Sequence, residues 1–222
     1  MKTSYKIIAA ALAAAAPVAI PVAAAAQVAP GIAVANPDAI VANSAAFKLA
    51  EQQRPVTYKA QLDAAEARRA QIQAQLDPMV AKYQTDSQAA TPNQAALQQQ
   101  AQQIQRIQQS GEAELQRLLQ PVAMSRAYVI EQITDKMPAA LDAAQKRRNI
   151  TLVLNPQAVV SADQAYNLNQ DVLTELDRML PQAQLVPPAD WKPRAQREAE
   201  AQQAAAAQQQ AAQGNAAASG GR

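Results

Sequence analysis

From Tyr58 to Tyr83 the larger side chains recur at alternating spacings of three and four, through Leu62, Ala65, Arg69, Ile72, Leu76 and Met79. That rhythm puts them on one stripe of a single helix. A second stripe runs through Leu97, Ile104, Ile107, Leu115, Leu118, Val122, Val129 and Ile133, with a phase slip near Gly111 that resembles a stutter. Between the stripes lies Ala89-Ala90-Thr91-Pro92-Asn93, where Pro92 stops helix propagation and the link is short enough to turn the chain back on itself. The pattern predicts one antiparallel helical hairpin over residues 47–149, with its tip at 89–93. Each arm, at some ~45 residues and about 1.5 Å per residue, is roughly 65 Å long.

On either side of the hairpin the period changes from helix to strand. Ile32-Ala33-Val34-Ala35 reads as a short strand closed by Asn36-Pro37-Asp38, and residues 27–46 form the entry to a small body. Ile150-Thr151-Leu152-Val153-Leu154 is a second strand, and Ala158-Val159-Val160 after the Asn155-Pro156 turn reads as a third. A closing helix follows over Gln170–Leu180, capped by Asn169, and completes the body at residues 150–180. The expected body core is Ile32, Val34, Ile150, Leu152, Leu154 and Val159. Residues 181–222, Pro-bearing and then Ala/Gln-rich, are expected to be largely disordered, with Trp191 as a clip onto the body.

Three short strands and one or two short helices make a small support for so long a hairpin, and they leave strand edges open. Several copies closing their sheets around an axis remove both problems and send every hairpin the same way. The fold class is therefore mainly α with a small β base that oligomerises. Pro55, Pro78, Pro121 and Pro138 interrupt the arms; each removes a helix hydrogen bond and favours a bend there.

Composition narrows the function. Of the residues 49% are hydrophobic, but much of that share is alanine, and only 3% are aromatic. There is no cysteine and no histidine, which removes disulfides, thiolate chemistry, Cys/His zinc sites and histidine general bases. No metal cluster, phosphate loop or converging carboxylate pair appears, so neither catalysis nor a cofactor is expected.

Residues 1–26 have the form of an export signal: Lys2 and Lys6, an apolar run from Ile7 to Ala16, and a small-residue site at Ala24-Ala25-Ala26. Pro17 and Pro21 interrupt the run and weigh against a retained anchor. Of the 20 basic and 18 acidic residues, loss of Lys2 and Lys6 leaves equal numbers, which does not suit a nucleic-acid partner.

The order of elements, with Ile32-Ala33-Val34-Ala35-Asn36, Asn43-Ser44-Ala45-Ala46-Phe47-Lys48, Leu118-Leu119-Gln120-Pro121-Val122, Asn149 to Asn155 and Asn167-Leu168-Asn169-Gln170-Asp171-Val172, resembles the Skp/OmpH family of periplasmic chaperones. The resemblance implies a jellyfish-like homotrimer whose helical tentacles hold unfolded outer-membrane proteins in a central cavity without ATP. It also implies a periplasmic location and a weak contact with the membrane surface. Candidate client-binding residues on the arms are Arg68, Arg69, Lys82, Tyr83, Arg106 and Arg117, where arginine stems and scattered methyl groups offer many weak contacts. The rival reading is an envelope adaptor that uses the exported hairpin as a spacer.

Overall fold

The computed structural model describes residues 29–219; the export segment and its cleavage site lie outside them. In chain order the elements are β1 (Ile32–Val34), α1 (Pro37–Asn43), α2 (Ala45–Thr57), α3 (Lys59–Ser87), α4 (Gln94–Arg148), β2 (Leu152–Leu154), α5 (Asn169–Met179) and α6 (Arg194–Ser219). α2 and α3 form the outbound arm of a helical hairpin, and α4 alone, 55 residues long, forms the return arm. The chain reverses between Gln88 and Asn93, and the Asn93 side chain caps α4 by accepting from the Ala96 N–H at 3.1 Å.

The two prolines of α4 leave it continuous, whereas the outbound arm has a joint. Pro55 lies inside α2, and three residues later Tyr58, at φ −107° and ψ 24°, separates α2 from α3. Its N–H still donates to the Arg54 carbonyl at 2.9 Å, so a backbone hydrogen bond spans the joint. The return arm ends at Asn149, which sits in the left-handed region at φ 54°. Ile150 N–H then donates to the Gln145 carbonyl at 2.8 Å, which closes the helix in the manner of a Schellman motif.

The hairpin is the crossover between two parallel strands, paired Ile32 to Leu152 and Val34 to Leu154. Gly31, at φ +83°, offers its carbonyl to the N–H groups of Thr151 and Leu152 at 2.8 and 2.9 Å. A Cβ there would meet Thr151 Oγ1 at 2.9 Å, which only glycine avoids. The third strand is not formed. Pro156 to Ala158 is a 3-10 turn instead, started by Asn155, whose side chain accepts from the Gln157 N–H at 2.9 Å. Pro156 has no N–H to give a ladder. Val160 ends up fully exposed and Val159 half-buried, so Val159 is not a core residue of the chain.

The body core mixes branched apolar residues with alanines. Ile40 of α1, Ala46 and Ala50 of α2, Val129, Ile133 and Ala140 of α4, and Leu168, Val172 and Leu176 at α5 are buried. Each fully covered Ile, Leu or Val contributes roughly 1.5–3 kcal/mol. The strands give this core Ala33 and Ala35, with Val153 packed against it. Strand alternation therefore puts the expected core residues on the opposite face. Ile32, Val34 and Leu154 are half-buried there, and Leu152 is 48% exposed. Ile150, just before β2, is packed against the core.

Two further differences concern the end of the chain. Asn169 is the first helical residue rather than the cap; Asn167 Oδ1 accepts its N–H at 2.9 Å, which frees the Asn169 side chain to accept from the Asn36 N–H at 2.7 Å. The stretch expected to be disordered packs on α4 from Ala183 to Arg197 and is helical from Arg194 to Ser219. Alanine and glutamine rank among good helix formers, and ion pairs to Glu131 and Asp135 fix the start of α6.

Candidate functional site

The two apolar stripes meet as the sequence pattern requires. Tyr58, Ala65 and Ile72 from the outbound arm and Leu97, Val129 and Ile133 from the return arm are buried. Three contacts set the register between α3 and α4: Arg68 to Glu114, Ile72 over Gly111, and Gln100 Nε2 donating to Asp86 at 2.6 Å. Arg69, which the periodicity put in the stripe, points out and is exposed, while its neighbour Arg68 is partly covered and takes the cross-arm ion pair.

The six candidate cations and aromatics are strung along the hairpin rather than gathered. Lys82 pairs with Asp86 at 2.8 Å one turn on, near the tip. The Lys82 hydrogen bond, with that from Gln100, holds the Asp86 carboxyl below the usual carboxylate range. Tyr83 is half-buried beside it. Arg106 falls between the Asp86–Gln100 and Ile72–Gly111 levels, and Arg117 lies one turn beyond Glu114. Arg69, Arg106 and Arg117 are exposed and make no ion pair among the described residues.

Nearer the body both arms line an open cleft of about 410 Å³ that periodicity gave no reason to expect. Pro55 and Leu62 supply one wall, Leu119, Val122 and Ala123 the other, and Glu51, Arg54 and Arg126 edge it. The joint at Tyr58 and the missing hydrogen bond at Pro121 lie on either side of it. A second apolar hollow of about 500 Å³ shares Leu119 and Ala123 and runs up α4 past Leu115. Together they form one strip of apolar surface along the lower return arm. The leucines were legible as stripe residues; the cleft beside the joint was not, and Pro55 is its one sequence signal.

Arg54 is the unusual group beside this cleft. It is 5% exposed, its Nη1 is paired with Glu51, and its Nε donates to Ser125 Oγ at 3.4 Å. Its Nη2 finds no acceptor among the described residues. Arg126 lies 5.7 Å over the Phe47 ring and 3.5 Å from the same Glu51 carboxylate. Two guanidinium groups against one carboxylate leave the cleft mouth with positive charge. No group of His, Cys, Asp or Glu among the described residues is placed to hold a metal ion. No helix among them is long and apolar enough to cross a membrane.

Residues 31–176 match the family model described as outer membrane protein (OmpH-like). Among solved structures, the chain is similar to an OmpH-like protein from Caulobacter crescentus CB15 described as a candidate outer membrane chaperone. The identity is 16% and the TM-score 0.44, with 74% of this chain and 95% of that one covered. No curated protein matches the chain. The family match takes in both strands, the whole hairpin and most of α5, well over half of the 222 residues, so the chain belongs to the OmpH-like family.

Proposed function

We propose that this chain is an ATP-independent holdase of the periplasm that keeps unfolded outer-membrane proteins from aggregating between its helical arms. The observation that carries the reading is the open apolar strip from Leu62 and Pro55 to Leu115, Leu119 and Ala123, rimmed by Arg54 and Arg126. A membrane β-barrel that has not yet folded presents apolar side chains and unpaired backbone groups, which drive aggregation in water. Apolar surface edged by the guanidinium groups of Arg54 and Arg126 suits the apolar side chains of such a client, and many such weak contacts hold a chain without trapping it. Membership in the OmpH-like family supports the same reading.

Assembly belongs to the proposal. The outward face of the two-stranded sheet carries Ile32, Val34, Leu152 and Leu154, partly or half exposed in the single chain. A two-stranded sheet with an apolar outer face is marginal alone. Three copies packed on that face cover it, turn the hairpins in one direction and enclose a cavity. Export through residues 1–26, and a weak contact of the assembly with the membrane surface, complete the reading. The adaptor alternative needs a large β region around the hairpin; among the described residues β1 and β2 make the only sheet.

Site-specific photo-crosslinking tests where a client lies. A photoreactive residue at Leu119, Arg69, Arg106 or Arg117 is expected to capture a urea-diluted outer-membrane barrel protein, and one at the exposed Val160 of the body is not. Capture at Val160 alone would put the client outside the arms and end the reading.

A further inference from the structure

The family match stops at Leu176, yet the chain beyond it makes a dense set of hydrogen bonds and ion pairs with α4. After α5 it runs up α4. Ala183 is buried, and Gln184 exchanges two hydrogen bonds with the Gln132 side chain, both at 2.9 Å. Gln184 also accepts from the Tyr128 hydroxyl at 3.0 Å, and the Leu185 carbonyl accepts from Ser125 Oγ at 2.7 Å.

The chain then turns through Pro187-Pro188 and comes back down. Trp191 packs edge-on against Tyr128 with ring centres 5.0 Å apart. The Arg194 N–H donates to Glu131 at 2.9 Å, Arg194 pairs with Asp135, and Arg197 pairs with Glu131 at 2.6 Å.

The position of this loop along α4 is what matters. Ser125, Tyr128, Glu131, Gln132 and Asp135 all lie between Pro121 and Pro138, the two places where the return arm lacks an internal hydrogen bond. A helix segment bounded by two such points is the part most ready to bend. Here it is gripped on two successive passes of the same strand of chain.

The grip also reaches the other arm. The Ser125 hydroxyl that donates to Leu185 accepts from Nε of buried Arg54, four residues before the joint at Tyr58. One hydroxyl thus links the C-terminal segment to both weak sections of the hairpin.

We infer that residues 181–200 are a built-in strap that fixes the foot of the hairpin and sets the angle at which its arms leave the body. Release of the strap frees the segment between Pro121 and Pro138 and, through Ser125 and Arg54, the α2–α3 joint. The cleft at Pro55, Leu119 and Val122 lies between those two sections, so the strap governs how widely it opens. Residues 201–209 of α6 are exposed and outside the device.

Amide hydrogen exchange on the assembled protein reads this directly. Three variants are compared with the full chain: termination after Leu180, termination after Glu200, and Trp191→Ala. Loss of the strap is expected to speed exchange about tenfold in residues 121–138 and in residues 54–62, with the level of Ile72 and Gly111 unchanged. Trp191→Ala is expected to give a smaller rise in the same two stretches, and termination after Glu200 none. Unchanged exchange at 121–138 and 54–62 after termination at Leu180 would overturn the inference. So would a uniform rise across the body and both arms, because the segment would then be part of the general core. If the chain ending at Leu180 does not fold, Trp191→Ala decides by the same criterion.

Discussion

Ile72 lies directly over Gly111: a Cβ on Gly111 would come within 2.7 Å of Ile72 Cδ1 and 3.3 Å of its Cγ2. The glycine is thus a socket that lets the arms close at mid-length. Placing leucine there forces the isoleucine and its helix apart. Gly111→Leu is expected to destabilise the chain by about 2 kcal/mol despite the better helix propensity of leucine. Ile72→Ala alone costs about 2–4 kcal/mol. The double variant is expected to be more stable than the sum of the two losses, a coupling that urea denaturation measures. Strict additivity would mean the two do not touch.

The outer face of the sheet gives the second expectation. Leu152 is 48% exposed and takes no part in the chain's own core, so Leu152→Asp is expected to leave helicity intact while the protein sizes as a monomer by light scattering. A trimer that survives the substitution would take the sheet out of assembly.

Arg68 and Glu114 pair across the arms, but both are partly open to water, so the pair contributes at most about 1 kcal/mol. Arg68→Gln is therefore expected to leave the denaturation midpoint nearly unchanged. Replacing Arg69, Arg106 and Arg117 together by glutamine, where no ion pair is lost, is expected to lower client capacity without altering stability. A large stability loss in the triple variant would show that these side chains brace the arms.

The tip has an acid-sensitive contact. Lys82 and Gln100 hydrogen-bond to Asp86 and hold its carboxyl below the usual range. A depressed carboxylate stabilises the fold above its ordinary value, and the gain is lost as pH falls through the lowered value. Since Gln100 belongs to α4, tip pairing is expected to loosen below about pH 4, seen as faster exchange around Asn93 to Leu97. Asp86→Asn is expected to abolish that pH dependence; its persistence would assign it to another group.

Much of this architecture was legible in the sequence because the two arms carry apolar stripes at helical spacing, and Pro92 with Asn93 marks where they part. Tyr58, Ile72, Leu97, Val129 and Ile133 are all inside, as their spacing requires. The strands were found, but alternation alone does not say which face a short strand turns to its own helices. Ala33 and Ala35, too small to attract notice, are the buried side, and Ile32 and Val34 face the other way.

Arg54 and the cleft had no sequence signal beyond Pro55, since a buried arginine in a Gln-rich helix reads as one more surface cation. Of the strap, only Trp191 was expected to clip onto the body, and it packs against Tyr128 of α4. The rest was missed for a related reason: its grip on α4 comes from backbone groups of Gln184 and Leu185 and from scattered pairs such as Arg194 with Asp135, none of which shows as a period.

The central claim is that the arms hold unfolded barrel proteins. The most direct measurement is light scattering of an outer-membrane barrel protein diluted out of urea, with and without the mature chain at one assembly per client and with no ATP present. The account predicts that scattering is suppressed and that the protein alone has the mass of three chains. Aggregation that proceeds unchanged beside a folded, three-chain assembly would contradict it.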